Sequence, residues 1–537
     1  MAIMAMATVR KIINYRSTSI IALLPCFAIS STVVAGEWQF VPNFALEEIY
    51  TDNVERTATE KTSSLVSQAK FGLNFDYQSH VAKLSISAEN NNLLFSHDSD
   101  NNNNYLTLDT KGQYYLWVSG PELIASANVG NINRNSANNG LADLLSGDTI
   151  QAENYLTGLR YNANSNTFSI ESSVVYHINR YEDGIGEYDG VSATFKTNSG
   201  SNTRFAFWRL SSSFSTRNQD FSGETRTGEQ YRIDAILGIK IPVNWSAYVR
   251  FYDEDFSGDS INQNQQTTAS WGPGFRWLVS PHLMVDLTYN YVVDDTVSDD
   301  YFKAAIEWEP SARTSLTAEY SRRFFGESYN LDIKHKTKRL TNSISYDESL
   351  DVFSRNNYQQ RDLGLFWCPS GIPLEGITGC FVESEQPDNT NYSLIGLSPL
   401  ELIEGNEFSL NKSFSWASKL QLTRTSFAIN TSASRREGLE SGIINDAIST
   451  SLTIERKISG RSTLKLQTKY DNRIFDKNNP EGSRQKDYYR TISATYTKDL
   501  ASSLSTHFTI QHINRDSNIE RFTYDEIRAI INVTKEF

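Results

Sequence analysis

The chain has 537 residues, a formal net charge of −13 and an aromatic content of 12%. So acidic a balance excludes a general nucleic-acid binder, which needs clustered cations against the phosphates, and beyond residue 35 no run of 18 apolar residues is present to cross a membrane as a helix. The mean hydropathy of −0.45 suits a β-barrel as well as a soluble protein, because only every second strand residue of a barrel meets lipid.

At the front of the chain, Arg10, Lys11 and Arg16 precede an apolar stretch over 20–34, and Val33-Val34-Ala35 closes it with small residues. This is the pattern of a secretory signal peptide, 1–35, cleaved after Ala35. Cys26 follows Leu23-Leu24-Pro25, and a proline directly before the cysteine argues against a lipoprotein box.

From Trp38 onward, long amphipathic runs follow one another, among them 65–77, 82–95, 105–118, 167–181, 203–217, 231–241 and 245–256, then 284–293, 315–325, 420–435, 464–475, 488–498 and 504–515. In 167–181, Phe168, Ile170, Val174, Tyr176 and Ile178 share one face while Ser169, Glu171, Ser173 and His177 share the other. That period of two gives one face to lipid and one to a polar interior. Short connections such as Gln78-Ser79-His80, Ser119-Gly120-Pro121 and Ser459-Gly460-Arg461 alternate with long polar ones at 96–104, 135–153, 218–229, 257–265 and 476–487. Tight turns at one end and longer loops at the other are the layout of an outer-membrane barrel.

Sixteen strands can be counted up to Tyr346 and seven from Phe408 to the end. A single-chain bacterial barrel needs an even number. One more strand is therefore expected within 350–405, at 358–367 or 392–397, unless the first strand near Trp38 is not real. The predicted fold is an all-β, antiparallel transmembrane barrel of 22–24 strands over 36–537. No N-terminal plug is expected, because strand patterns begin directly after the signal. Segment 350–405 is large enough to act as a lid or constriction and is expected, with 135–153, to fold inward and partly close the lumen; Cys368 and Cys380 within it form a local disulfide on this reading, as an exported chain permits. The last strand places Ile527, Ala529, Ile531, Val533 and Phe537 on one face and Glu526, Arg528, Asn532, Thr534 and Glu536 on the other. Its terminal Phe537 resembles the signal read by the outer-membrane assembly machinery, with Lys535 a departure from the apolar residue usual there.

Several segments together resemble a known family: Trp38-Gln39-Phe40-Val41-Pro42, Glu48-Ile49-Tyr50-Thr51-Asp52-Asn53-Val54, Trp271-Gly272-Pro273-Gly274-Phe275-Arg276-Trp277, Trp308-Glu309-Pro310-Ser311-Ala312-Arg313-Thr314-Ser315-Leu316, and 320–329 around Arg322-Arg323-Phe324-Phe325-Gly326. The family is that of the outer-membrane proteins associated with the PEP-CTERM/exosortase system, found beside exopolysaccharide gene clusters. The resemblance implies an outer-membrane β-barrel taking part in exopolysaccharide secretion or surface assembly, with exopolysaccharide and its export proteins as partners. It supplies no catalytic or binding residue set.

The chemistry-bearing residues point to a non-enzymatic protein without cofactor or metal. Seven histidines are scattered, and the similar tetrapeptides ending in Arg180 and Arg515 pair with no serine or acid by spacing. Lys334, Lys336 and Lys338 lie two apart on one strand face, and Lys465, Lys469 and Arg473 form a second row. Facing inward, these rows would present cations to an acidic polymer, as charged rows set selectivity in pores; the plainer reading pairs them with Glu319, Glu455 and Asp471. Arg322 and Arg323, beside two phenylalanines, are candidates for lipopolysaccharide phosphates at the outer rim. A general or selective diffusion porin is the alternative function, and a surface scaffold or adhesin with a blocked lumen the third.

Overall fold

The computed structural model describes residues 36–537 except 142, 147, 201, 222–223, 242–243, 260–265, 296–298, 352–354, 356, 361–364, 370–379, 383, 386–390, 397–399, 404–406 and 479–483. The expected signal peptide, 1–35, lies outside the described residues. In chain order the strands are β1 (Glu37–Thr51), β2 (Ser64–Gln78), β3 (Ala82–Phe95), β4 (Asn103–Tyr115), β5 (Glu122–Asn133), β6 (Thr149–Asn164), β7 (Phe168–Tyr181), β8 (Tyr188–Ser199), β9 (Ala206–Phe221), β10 (Glu224–Ile241), β11 (Trp245–Gly258) and β12 (Gln266–Ser280). Next come β13 (Leu283–Asp295), β14 (Tyr301–Ser311), β15 (Thr314–Arg323), β16 (Gly326–Lys336) and β17 (Leu340–Asp351). Five short strands follow: β18 (Asn357–Gln360), β19 (Leu365–Pro369), β20 (Phe381–Val382), β21 (Tyr392–Gly396) and β22 (Leu400–Ile403). The chain finishes with β23 (Ser409–Gln421), β24 (Thr425–Gly438), β25 (Ile444–Ser459), β26 (Ser462–Phe475), β27 (Gln485–Ala501), β28 (Leu504–Ser517) and β29 (Tyr524–Glu536).

Strands β1–β17 and β23–β29 form one 24-stranded antiparallel sheet, each paired with its chain neighbour. Two pairings close it: β1 with β29, where Ile49 faces Ile530, and β17 with β23, where Ile344 faces Trp416. A closed sheet leaves no unpaired edge, which is what allows strands to cross a bilayer. Among the described residues the only helices are three single 3-10 turns, and the first described strand is already part of the wall.

The strand number sits at the top of the expected range, but the odd strand is not where the count looked for it. Seventeen wall strands precede residue 352, β1 is real, and the short strands at 357–360, 365–369 and 392–396 belong to two small sheets apart from the barrel. The polar segment 218–229, read as a loop, is largely strand: Asn218 faces Thr227 in the β9–β10 ladder. Where both faces of the wall are polar the alternation fades although the backbone ladder continues, so sequence shortens strands at that end.

Alternation fixes the two faces elsewhere. Along β11, Trp245, Val249 and Phe251 are exposed outward while Ser246, Tyr248, Arg250, Tyr252 and Glu254 are buried inward. Near the short-turn end Trp245 and Trp277 are register partners, their rings stacked 5.1 Å apart, with Trp308 exposed two strands on. An aromatic belt of this kind anchors a barrel at the membrane interface.

Gly274 faces inward opposite Tyr248, and a Cβ there would fall 2.0 Å from the tyrosine ring. Tyr248 is fixed by a 2.8 Å hydrogen bond with Thr288, so it has little room to yield. Gly274→Ala is expected to destabilise the barrel by about 1–3 kcal/mol, the usual cost of overpacking, read as a lower unfolding temperature in heat-modifiability gels.

Candidate functional site

The inner wall over β10–β15 carries paired charges. Arg250, 1% exposed, donates to both carboxylate oxygens of Asp234 at 3.0 and 2.9 Å and to Asn290 at 3.0 Å. Lys303 joins the same Asp234 at 3.0 Å and Glu319 at 2.8 Å. Arg276 is bidentate to Asp286, 2.7 Å for each bond, and Arg323 pairs with Glu254. Asp234→Ala would leave Arg250 and Lys303 without their common acid. Stripping one partner from a buried pair costs about 3–5 kcal/mol, so this variant should unfold at a clearly lower temperature, and Asp234→Asn should recover part of the loss.

Elsewhere the inner wall carries hydroxyl pairs between further charge pairs such as Lys70–Glu47 and Arg160–Glu122. Ser173 and Thr194 lie 2.8 Å apart, Ser192 and Ser215 3.1 Å, Ser345 and Ser415 2.7 Å, and Thr495 and Thr509 2.9 Å. Each is a cross-strand pair on the inward face.

The lysine rows take mixed positions. Register with inward Glu319 and Thr317 puts Lys334 and Lys336 on the inner face of β16, whereas Lys338 lies in the turn after it. Lys334 is paired with Asp332 at 2.9 Å. Lys465, Lys469 and Arg473 all face inward on β26, in register with Thr495, Thr491 and Asp487. Lys469 is paired with Asp471 at 2.9 Å, and Arg473 donates to the Gly140 carbonyl at 2.9 Å. Arg322 and Arg323 point to opposite sides of the wall. Arg323 is buried on Glu254, which takes it away from lipid phosphates and leaves Arg322, near Asp299 at 4.0 Å, as the one outward cation of the pair. Cys368 and Cys380 are disulfide-bonded. The backbone nitrogen of Phe537 donates to the Pro42 carbonyl at 2.9 Å, and its ring is exposed on the outer face. Histidine 177 faces inward against Tyr188, while His512 faces outward beside Asp525.

The densest arrangement occupies the mouth at the long-loop end, where the connection 134–148 between β5 and β6 reaches the wall formed by β26–β29. Tyr489 Oη accepts from the Gly140 nitrogen at 2.8 Å. Gln485 donates to the Ala137 carbonyl at 2.6 Å, and Arg515 donates to the carbonyls of Ala137, at 2.8 Å, and Asn138. Asp143 bridges Arg528, at 2.8 Å, and Arg56, and both arginines also pair with Glu526. Leu144 and Leu145 pack against a buried cluster of Ile49, Val54, Val66, Leu93, Phe95 and Tyr105. The segment between β17 and β23 joins in: Tyr358 and Leu400 pack on Ala137 and Phe475, and Asn135 donates to the Leu400 carbonyl at 3.2 Å. Arg355 donates to the carbonyls of Ile185, 2.9 Å, and Arg134, 2.8 Å, and pairs with Asp183.

Electrostatics in these loops follow from the pairing. Burial alone would raise the Asp143 carboxyl, but the guanidinium groups of Arg528 and Arg56 override it and hold it below the usual carboxylate range. Asp183 is lowered in the same way, burial opposed by hydrogen bonds and charge from Arg355. Arg521 is depressed, first by burial and then by the charge of Arg515. Of the mouth residues, sequence singled out only Arg473 as a candidate; strand parity placed Glu526 and Arg528 on the polar face. Arg56, Asp143, Arg355 and Arg515 meet partners far away in the chain, which no local pattern reveals.

A family model described as "Putative MetA-pathway of phenol degradation" matches residues 81–309, less than half of the chain. Among solved structures, the siderophore receptor PirA from Pseudomonas aeruginosa is 9% identical, covering 93% of this chain and 80% of that one, with a TM-score of 0.41. An enterobactin-bound mutant of the ferric enterobactin receptor PfeA from the same species is 10% identical, covering 93% and 81%, at 0.44. The FrpB iron transporter from Neisseria meningitidis is 7% identical, covering 92% and 82%, at 0.44. Similarity at this level is silent on substrate. No curated protein matches the chain. What decides the class is the closed wall with its aromatic belt and apolar outer face. The protein is an outer-membrane β-barrel.

Proposed function

We propose that this barrel is a conduit taking part in exopolysaccharide secretion or surface assembly, without covalent chemistry of its own. The observation that carries the reading is the inner wall, where cross-strand pairs of serine and threonine hydroxyls, which exchange hydrogen bonds readily with water and sugar hydroxyls, lie between the charge pairs. A 24-stranded circumference encloses more space than the 16–18 strands that already hold an aqueous channel. The two segments at the mouth serve as its constriction, and the disulfide-bonded segment between β17 and β23 acts as the lid. Selectivity for an acidic polymer rests on the inward cations: Lys334 and Lys469 share theirs with neighbouring acids, while Lys336 and Lys465 have no ion pair among the described residues. The kinship to the PEP-CTERM/exosortase-associated barrels is part of the proposal, as are export proteins as partners, lipopolysaccharide at Arg322 and recognition of Phe537 by the assembly machinery.

A clean gene deletion with surface and periplasmic polysaccharide quantified tests it. Loss of surface polymer, restored by the intact gene, is the expected result, and unchanged polymer overturns it. A second reading, a selective diffusion channel, is favoured by the match over 81–309. Its family description names phenol degradation, so on that reading the solute is a small aromatic compound, and the same deletion strain would keep its polymer but take up phenols more slowly.

A further inference from the structure

We propose that the mouth holds an oxyanion-binding site formed by Arg56, Arg515 and Tyr524, suited to a carboxylate or phosphate group. Three buried donors lie close together there, each unpaired among the described residues, beside an equally unpaired Asp487 Oδ1. Arg515 is 2% exposed and Tyr524 4%, the Arg56 side chain is 7% exposed, and Arg515 Nε, Tyr524 Oη and Arg56 Nη1 have no hydrogen-bond partner among the described residues. Tyr524 and Arg515 are directly opposite in the β28–β29 register, and the Arg56 guanidinium lies 5.8 Å from the centre of the Tyr524 ring. A buried donor left unpaired is costly, and three in one place call for a shared acceptor.

Charge balance points to what that acceptor is. Arg56, Arg528, Arg515, Arg473 and Arg521 gather here, with Asp143, Asp148, Glu526 and Asp487 as the neighbouring acids. Phe522 is flanked by the guanidiniums of Arg515 and Arg521, at 4.6 and 4.7 Å from its centre. Two guanidiniums against one ring favour an anion over a water molecule, because guanidinium forks match the oxygens of carboxylates and phosphates. Arg521 and Phe522 are only half-buried, so the site opens toward the loop 518–523. Arg515 also holds the carbonyls of Ala137 and Asn138, which places the anion where the crossing loop meets the wall. The site stands on this geometry and not on the polysaccharide reading: a porin would keep it.

The test uses the full mature barrel in detergent at pH 7, titrated at matched ionic strength with inorganic phosphate, glucuronate and uronic-acid oligomers against chloride. The expected result is a saturable rise in unfolding temperature with at least one oxyanion. Tyr524→Phe removes one donor and nothing else, and it should weaken that response roughly tenfold, the worth of one hydrogen bond to a charged group. Arg515→Gln should abolish the response; if that variant does not fold, Tyr524→Phe still decides. The outward Tyr496→Phe serves as control and keeps the full response. Tighter binding of uronate oligomers than of phosphate would identify a sugar-borne acid, and the reverse order free phosphate. No saturable effect, or equal effects in the parent and Tyr524→Phe, overturns the site.

Discussion

Replacing residues 136–146 with a short glycine-serine link will raise single-channel conductance at least roughly twofold, since pore-lining constrictions set the flow, and will make cells sensitive to large antibiotics that an intact outer membrane excludes. The loop is tied across the mouth to strands at the other end of the chain: Gly140 to Tyr489, Ala137 to Gln485 and Arg515, Asp143 to Arg528. Its removal also takes away Ala137, the surface on which Tyr358 and Leu400 of the β17–β23 segment pack, so one change loosens both closing elements. The wall should survive, because its strands are paired with each other whatever the loop does. Planar-bilayer recording and vancomycin sensitivity check the two halves of the prediction. A wall that folds normally yet conducts as before would remove the loop from any constricting role.

The wall was legible in the sequence because its cause is local and periodic. Residues 168–181 show two faces, and the terminal strand assigns Glu526 and Arg528 inward and Ile527 and Phe537 outward with no three-dimensional information. The rule fails where the environments converge. At 218–229 both faces are polar and the strands run on unseen to Phe221 and from Glu224. The lysine rows show a different limit. Sequence spacing puts each row on one face without saying which; the register turns Lys334, Lys465 and Lys469 inward, and Asp332 and Asp471, two residues away on the same faces, take Lys334 and Lys469. The mouth was least legible. Arg56 and Glu526 are 470 positions apart in the chain, and although loop 135–153 is expected from sequence to fold inward, nothing local marks Asp143 as its contact. Nothing short of the closed wall brings them together.

Asp143→Ala will undock the crossing loop while sparing the barrel. The substitution leaves the guanidiniums of Arg56 and Arg528, 7% and 5% exposed, to share Glu526, which already accepts from Thr51 at 2.7 Å. Leaving buried charge short of a partner costs on the order of 3–5 kcal/mol. That loss falls on docking, because Asp143 is the loop's own contribution to the cluster, so protease should cut within 134–148 far faster than in the parent while the unfolding temperature of the wall changes little. The pH dependence has a definite sign. The carboxyl of Asp143 is held below its usual range, so its contribution is complete above the unfolded carboxylate value of about 3.9 and disappears only as pH falls through the lower folded value. Asp183, paired with Arg355 on the neighbouring segment, is lowered too and releases in the same window. The parent channel should therefore keep its conductance and protease resistance from neutral pH down to about 4 and lose both below it. Asp143→Ala should be open and cleavable across the whole range. A parent that opened near pH 6 instead would show that a histidine, and not this aspartate, holds the mouth closed.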